Sequence, residues 1–362
     1  MDDRLFPQSK QFRIPLYPEY RSSNQSHDLN SYILRYFNIE PEAVLYAESA
    51  TLAFLLYLAH QDKKQQTIAI PNYFCPQFTY QCMKAGHKLI LYDWNMDYQF
   101  SDTSSNFAVS HNADVIIIPE FFGFRDHKQE LIKYFLDLGI TIIIDKAQSF
   151  PSIIKPTIPI KHNNLLYLLS FGRSKPISGP GGGALIRTNG EFEPISKKVM
   201  SWRFLPVTGC CKLSDLTESV LKSAMPGEFK GSILKEDLPE ELNDKLHLFF
   251  SRTLFMEQAW KRLKENLPAE KLQLIKGIFG YPSIMALYAK HRFNLANRLF
   301  ERGIQATWYY YPLSTISFFK DCIIEYTEGT QTFIDNILII PWGIRHTDEQ
   351  INYIIETITD EI

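Results

Sequence analysis

The sequence predicts an α/β fold: a three-layer α/β/α large domain on a mostly parallel sheet, with a small α+β domain at its C-terminal end. Three observations lead there. Short apolar runs of strand length recur at residues 67–70, 88–92, 114–118, 140–144 and 165–169, and nearly continuous apolar character is what strands covered on both faces require. Helical patterns separate them, which is the alternation of a doubly wound sheet. Gly86, Gly139 and Gly303 each stand between a helical pattern and a strand pattern, where a left-handed residue ends a helix.

The remaining elements follow in order. Residues 1–25 are rich in proline and polar residues and predict an arm. A helix is expected over 28–37 with Asp28 at its cap, then a short strand over 44–46, then a helix opened by Ser49, Ala50 and Thr51 and running to Leu58. Leu131, Phe135 and Leu138 at i, i+4 and i+7 predict an amphipathic helix that lays this face on the sheet. Further helices are expected over 213–224, 239–263 and 292–302, strands over 304–309 and 337–340, and a closing helix over 348–357. The division expected is an arm over 1–25, a large cofactor-binding domain over 26–265 and a small C-terminal domain over 266–362.

Composition narrows the function classes. With 362 residues, 45% hydrophobic and 22% charged, the chain is an ordinary globular protein able to bury a large core. A net charge of -2 without a Lys/Arg block speaks against a nucleic-acid surface or a polybasic membrane anchor. Cys75, Cys82, Cys210, Cys211 and Cys322 make an odd count without C-x-x-C spacing, which suits neither a disulfide framework nor zinc, so no metal is expected. The first residues, MDDRLFPQSK, lack the apolar segment of a signal peptide. The expectation is a cytoplasmic protein with reduced thiols.

The chemistry is concentrated in two runs, IIIDKAQSF ending at Phe150 and LLYLLSFGRSKPISGPGGGA ending at Ala184. A lysine amine condenses with the aldehyde of pyridoxal phosphate, and a carboxylate under the pyridine ring keeps its nitrogen protonated. Lys175 and Asp145 are the candidates for those catalytic tasks. Placed on neighbouring strands, they meet in the crevice at the carboxyl edge of the sheet. Taken singly, such an Asp is more often a cap and such a Lys a solvated charge; Gln148 and Ser170 at fixed offsets shift the balance toward a site. Ser49, Ala50 and Thr51 at a helix start present N–H groups suited to a phosphate, although Ser and Thr there are also common caps.

The motifs Asp145-Lys146-Ala147-Gln148 and Ser170-Phe171-Gly172-Arg173-Ser174-Lys175, with Gly181, Gly182 and Gly183 behind them, resemble the DegT/DnrJ/StrS-like aminotransferases of fold type I. The resemblance implies that Asp145 pairs with the pyridine nitrogen, Gln148 lies near the ring hydroxyl, Ser170 contacts the phosphate and Lys175 carries the cofactor as a Schiff base. It implies a phosphate role for Ala50 and Thr51, where the family commonly has Ser-Gly-Thr, and a ring-stacking role at Cys75 or, one residue earlier, Phe74. Glu120 stands where the family more often shows histidine; it either faces the substrate or ends a strand, and buried there it requires a partner. Arg173 and Arg203 are further candidate binders of a carboxylate or phosphate.

The implied activity is transfer of an amino group from a donor such as glutamate to a keto sugar, nucleotide-linked, with pyridoxal 5'-phosphate as cofactor and a homodimer as the assembly. Two alternatives stand beside it: other pyridoxal phosphate chemistry on a non-sugar substrate, and a non-catalytic regulator or scaffold of the same fold. The intact Asp145 and Lys175 pair argues against the scaffold. A dinucleotide site on the glycine run is disfavoured, because those glycines precede a strand rather than open a helix.

Overall fold

The structure is a computed structural model that describes residues 14, 28–94, 102–123, 129–152, 160–172, 174–177, 179, 181–192, 201–202, 229–230, 241–267, 272–274, 284–308, 310–325 and 329–361. The arm, the helix expected over 213–224, Arg173, Arg203, Cys210, Cys211 and Tyr309 lie outside them, Ile14 of the arm excepted. Helix α1 (Leu29–Phe37) starts at Asp28, whose side chain accepts from the N–H groups of Asn30 and Ser31. Strand β1 (Val44–Ala47) leads to α2 (Ala50–Ala59), and the alternation continues through β2 (Thr67–Pro71), α3 (Pro76–Lys84), β3 (Lys88–Tyr92), α4 (Asp102–Ser110), β4 (Val115–Pro119), α5 (Gln129–Asp137), β5 (Thr141–Asp145), β6 (Leu165–Ser170) and β7 (Gly183–Arg187). Two short strands, β8 (Ser201–Trp202) and β9 (Phe229–Lys230), pair with each other.

The C-terminal part contains α6 (Glu241–Asn266), β10 (Leu272–Leu274), β11 (Ile284–Ala289), α7 (Arg292–Glu301), β12 (Ile323–Ile324), α8 (Gly329–Asn336), β13 (Ile337–Pro341) and α9 (Asp348–Glu361). The large sheet has eight strands in the order β1-β7-β6-β5-β4-β2-β3-β12. Strand β7 pairs antiparallel with both β1 and β6, and the other pairings are parallel. Strands β10, β11 and β13 form a separate antiparallel sheet.

Burial follows the sequence pattern. Every residue of β4 is buried, as are the central three of β5 and the first five of β6, and each Ile or Leu so covered contributes about 1.5–3 kcal/mol. A second apolar cluster joins Met285 and Leu287 of β11, Leu338 and Ile340 of β13, Leu299 of α7, Ile354 of α9 and Met256 of α6. Among the described residues no helix is long and apolar enough to cross a membrane. Gly86, Gly139 and Gly303 all have positive φ, as their positions require.

Two expectations are corrected. Helix α5 buries Ile132, Phe135 and Leu136, while Leu138 is 50% exposed; the helix ends at Asp137, so the i+7 residue no longer lies on its inner face. Of the strand expected over 304–309, the described residues 304–308 form only isolated bridges: Ile304 with Ile14 and Thr307 with Ile339. Beyond that bridge the chain leaves the ladder, where Trp308 packs on Arg292 at 4.6 Å and Tyr310 on Tyr73 at 5.5 Å. Strand β12, from the far end of the chain, pairs with β3 and extends the large sheet.

The glycine run works by close approach. The N–H of Gly182 donates to the Glu48 carbonyl at 2.7 Å, and a Cβ at Gly183 would lie 2.1 Å from the Ala50 nitrogen. Only glycine lets β7 lie so near the start of α2. Gly183→Ala is therefore expected to cost at least about 2 kcal/mol through overpacking, whereas Gly139→Ala, with nothing within 4 Å of its added methyl, costs about 1 kcal/mol through its positive φ alone. Thermal unfolding of the two variants separates these effects.

Candidate active site

Parallel register brings the site together. Pro119 pairs with Asp145, and Asp145 with Leu168, so β4, β5 and β6 finish side by side at the edge where open α/β sheets receive ligands. A small cavity opens there, lined among others by Phe74, Cys75, Glu120, Asp145, Gln148 and Lys175. Asp145 and Lys175, 30 residues apart in the sequence, thus border one space.

Asp145 touches the cavity and is otherwise enclosed by protein. One oxygen, Oδ1, accepts from the Ala147 N–H at 2.9 Å, which fixes the carboxylate's orientation. Burial pushes its pKa up; the Lys175 ammonium pulls it back most strongly, followed by the Ala147 N–H, while Glu120 adds to the rise and Lys146 to the fall. Lys175 lies in a turn closed by its own N–H on the Gly172 carbonyl at 2.9 Å. Its carbonyl accepts from Arg345 Nη2 at 2.7 Å, so the loop is held from the C-terminal part of the chain.

Gln148 has its amide direction set by a backbone group. Its Oε1 accepts from the Phe122 N–H at 3.1 Å, which leaves Nε2 as the donor end of a side chain that lines the cavity. Phe122 holds that N–H in place at φ 55° and ψ 23°, a backbone region that non-glycine residues seldom adopt. The apolar wall comes from Phe74, Phe121 and Tyr310; Phe74 and Phe121 lie 5.9 Å apart, and Tyr73 packs edge-on between Phe121 and Tyr310.

Ser49, Ala50, Thr51 and Ser170 do not line this cavity. Ser49 caps α2, its Oγ accepting from the Leu52 N–H at 3.1 Å, and Ser170 pairs with Gly183. Because Gly183 also abuts Ala50, Ser170 and the start of α2 flank the same glycine. Ser170 also lies close to a cavity residue, since its Oγ and the Lys175 Cγ stand 3.7 and 4.0 Å from where a Cβ at Gly172 would be.

Sequence reasoning asked for a partner to Glu120, and Lys146 supplies it: Lys146 Nζ donates to Glu120 Oε2 at 2.6 Å. Ser149 Oγ donates to the same oxygen. Lys146 is 1% exposed and Glu120 3%. Arg345 was also missed, because it reaches the Lys175 loop from far along the chain.

The donor set suits pyridoxal phosphate. A carboxylate and an amine border one cavity with aromatic walls, an amide N–H₂ is directed by a backbone bond, and a side chain at Gly183 would intrude on the start of α2. Gln148→Leu is expected to strand the buried Phe122 N–H and cost about 1–3 kcal/mol, while Gln148→Glu keeps an acceptor there and melts nearer the parent protein.

No protein-family model matches the chain, and no curated protein matches it. Solved structures do. Helicobacter pylori PseC, an aminotransferase involved in the biosynthesis of pseudoaminic acid, has a TM-score of 0.69 at 13% identity, covering 97% of this chain and 99% of that one. A DegT DnrJ EryC1 StrS aminotransferase from Brucella abortus has a TM-score of 0.64 at 15% identity, covering 91% and 88%. E. coli GDP-4-keto-6-deoxy-D-mannose-3-dehydratase with bound hydrated pyridoxal phosphate has a TM-score of 0.64 at 16% identity, covering 96% and 100%. The likenesses span most of both chains in each case, and the protein accordingly has the α/β fold of these structures.

Proposed function

We propose that the protein is a pyridoxal 5'-phosphate-dependent aminotransferase that moves an amino group from an amino-acid donor, glutamate in our reading, to a nucleotide-linked keto sugar. The observation that carries this is the shared cavity of Asp145 and Lys175, since a lysine and a carboxylate so placed match the two demands of the cofactor's chemistry. The sugar rests on solved neighbours named for sugar chemistry, one for pseudoaminic acid biosynthesis and one for a GDP-linked keto sugar.

When bound, pyridoxal phosphate supplies an aldehyde for amines and a ring that accepts the electrons of a deprotonated carbon. Asp145 would hold a proton on the ring nitrogen, and the enclosed surroundings would strengthen that pairing. Gln148 Nε2 would serve the ring hydroxyl as donor. Lys175 Nζ would anchor the cofactor and, as a free amine, would be the base for the donor's α proton. The N–H groups at Ala50 and Thr51, with Ser170, would hold the phosphate at the positive end of α2. Phe74, Phe121 and Tyr310 exclude water, and Cys75 borders the same space.

The assembly in this reading is a homodimer, and the chain divides into an arm over 1–25, a large domain over 26–265 and a small domain over 266–362. The direct test is the absorbance of the purified protein loaded with pyridoxal phosphate, before and after glutamate. Conversion to the amine form of the cofactor is expected. Lys175→Ala is expected to abolish the visible band of the lysine-linked cofactor with unchanged circular dichroism, and a persisting band rejects the assignment. Asp145→Asn is expected to lower kcat by roughly 100-fold or more, measured as amino transfer from glutamate to a panel of nucleotide-linked keto sugars.

A further inference from the structure

Glu120 and Lys146 form a buried ion pair that the mechanism above does not use. Glu120 follows β4, and its N–H donates to the Asp145 carbonyl at 2.8 Å; its side chain lines the cavity with Asp145. Lys146 follows Asp145 directly. Its Nζ lies 2.6 Å from Glu120 Oε2, 5.9 Å from the centre of the Tyr167 ring, and is shielded from solvent. Stability does not account for such a pair: removing two charges from water costs as much as their attraction returns, and apolar residues of like volume serve as well or better. Position does account for it. The crevice floor presents two carboxylates, and two carboxylates sharing a site resist ionising together.

We infer that Glu120 and Lys146 act as a charge control on Asp145: Lys146 neutralises the second carboxylate, leaving Asp145 as the anion that receives the cofactor ring. Both are positioning residues, acting through Asp145. The charged groups described around Asp145 are Lys175, Glu120 and Lys146, with the Ala147 N–H as a neutral donor. Of these, Lys175 and the Ala147 N–H favour the anion whatever occupies positions 120 and 146. The pair sets the remainder.

The sign follows from linkage. Asp145 must be ionised to hold the protonated ring, so cofactor affinity is lost as pH falls through the Asp145 pKa, and a change that raises this pKa moves the loss to higher pH. Lys146→Met removes the ammonium that faces Glu120 and raises it. Glu120→Gln removes the second carboxylate's charge and lowers it. The double variant removes both charges and restores it.

This inference rests on the reading of the site as a pyridoxal phosphate pocket, and one experiment distinguishes the two. Apo protein is titrated with pyridoxal phosphate across acid pH, following cofactor absorbance as binding rather than activity. If the parent protein binds no pyridoxal phosphate at any pH, the functional reading fails. If it binds, Lys146→Met is expected to move the acid limit upward and Glu120→Gln downward, each by about one pH unit, a tenfold change in affinity at fixed acid pH. The double variant is expected to return to within a few tenths of a unit of the parent. Unmoved limits, single variants moving in the same direction, or a double variant displaced as far as either single one overturn the inference. Should one single variant fail to fold, as thermal melting shows, the other single variant and the double decide together: a displaced limit in the single with a parental limit in the double sustains charge control, and an unmoved single or a displaced double refutes it.

Discussion

The crevice depends on three strand ends lying level. With Pro119 beside Asp145 and Asp145 beside Leu168, the next residues of β4 and β5 and the loop after β6 leave the sheet into one space. A slip of one residue in β5 would turn Asp145 to the other face and put Lys146 in its place. The register is held by the apolar rows beneath it, since Ile142, Ile143 and Ile144 are fully buried between neighbours. The geometry of the crevice is thus enforced by ordinary packing some distance below it.

A second constraint acts from the opposite side. Strand β7 runs against its neighbours, and the glycines before it let the backbone lie on the first residues of α2. Two structures meet at that contact, the helix start proposed for the phosphate and the strand that carries Ser170. Ser49 spends its hydroxyl on the Leu52 N–H, so the phosphate role in our reading falls to backbone N–H groups rather than to that side chain. This suits a position where Ala50 leaves only a methyl group in the way.

Much of this was readable from residues alone, and the reasons are local. Strands covered on both faces need unbroken apolar runs, and β2 to β6 have them. Helix starts at Asp28 and Ser49 and left-handed ends at Gly86 and Gly139 follow from the backbone chemistry of those residues. The missed features depend on distant partners. Residues 304–309 have strand composition, yet Thr307 alone finds a ladder partner in Ile339. Strand β11, at Ile284–Ala289, draws its order from β10 and β13, and the two residues of β12 carry no periodicity of their own. At the site, Asp145, Gln148 and Lys175 stood out through their spacing, whereas the Glu120 to Lys146 pairing required knowing that two strand ends are neighbours.

The grip of Arg345 on the Lys175 carbonyl belongs with a set of long reaches from the end of the chain: β12 beside β3, Ser314 bonded to Asn72, and Thr330 bonded to Asp93. Each fastens an early element with a late one. A polypeptide emerging from the ribosome can fold β4, β5 and β6 as they appear, but the tether on its lysine waits until residue 345 has been translated. The lysine's loop is by this architecture one of the last parts of the crevice to be fastened during synthesis.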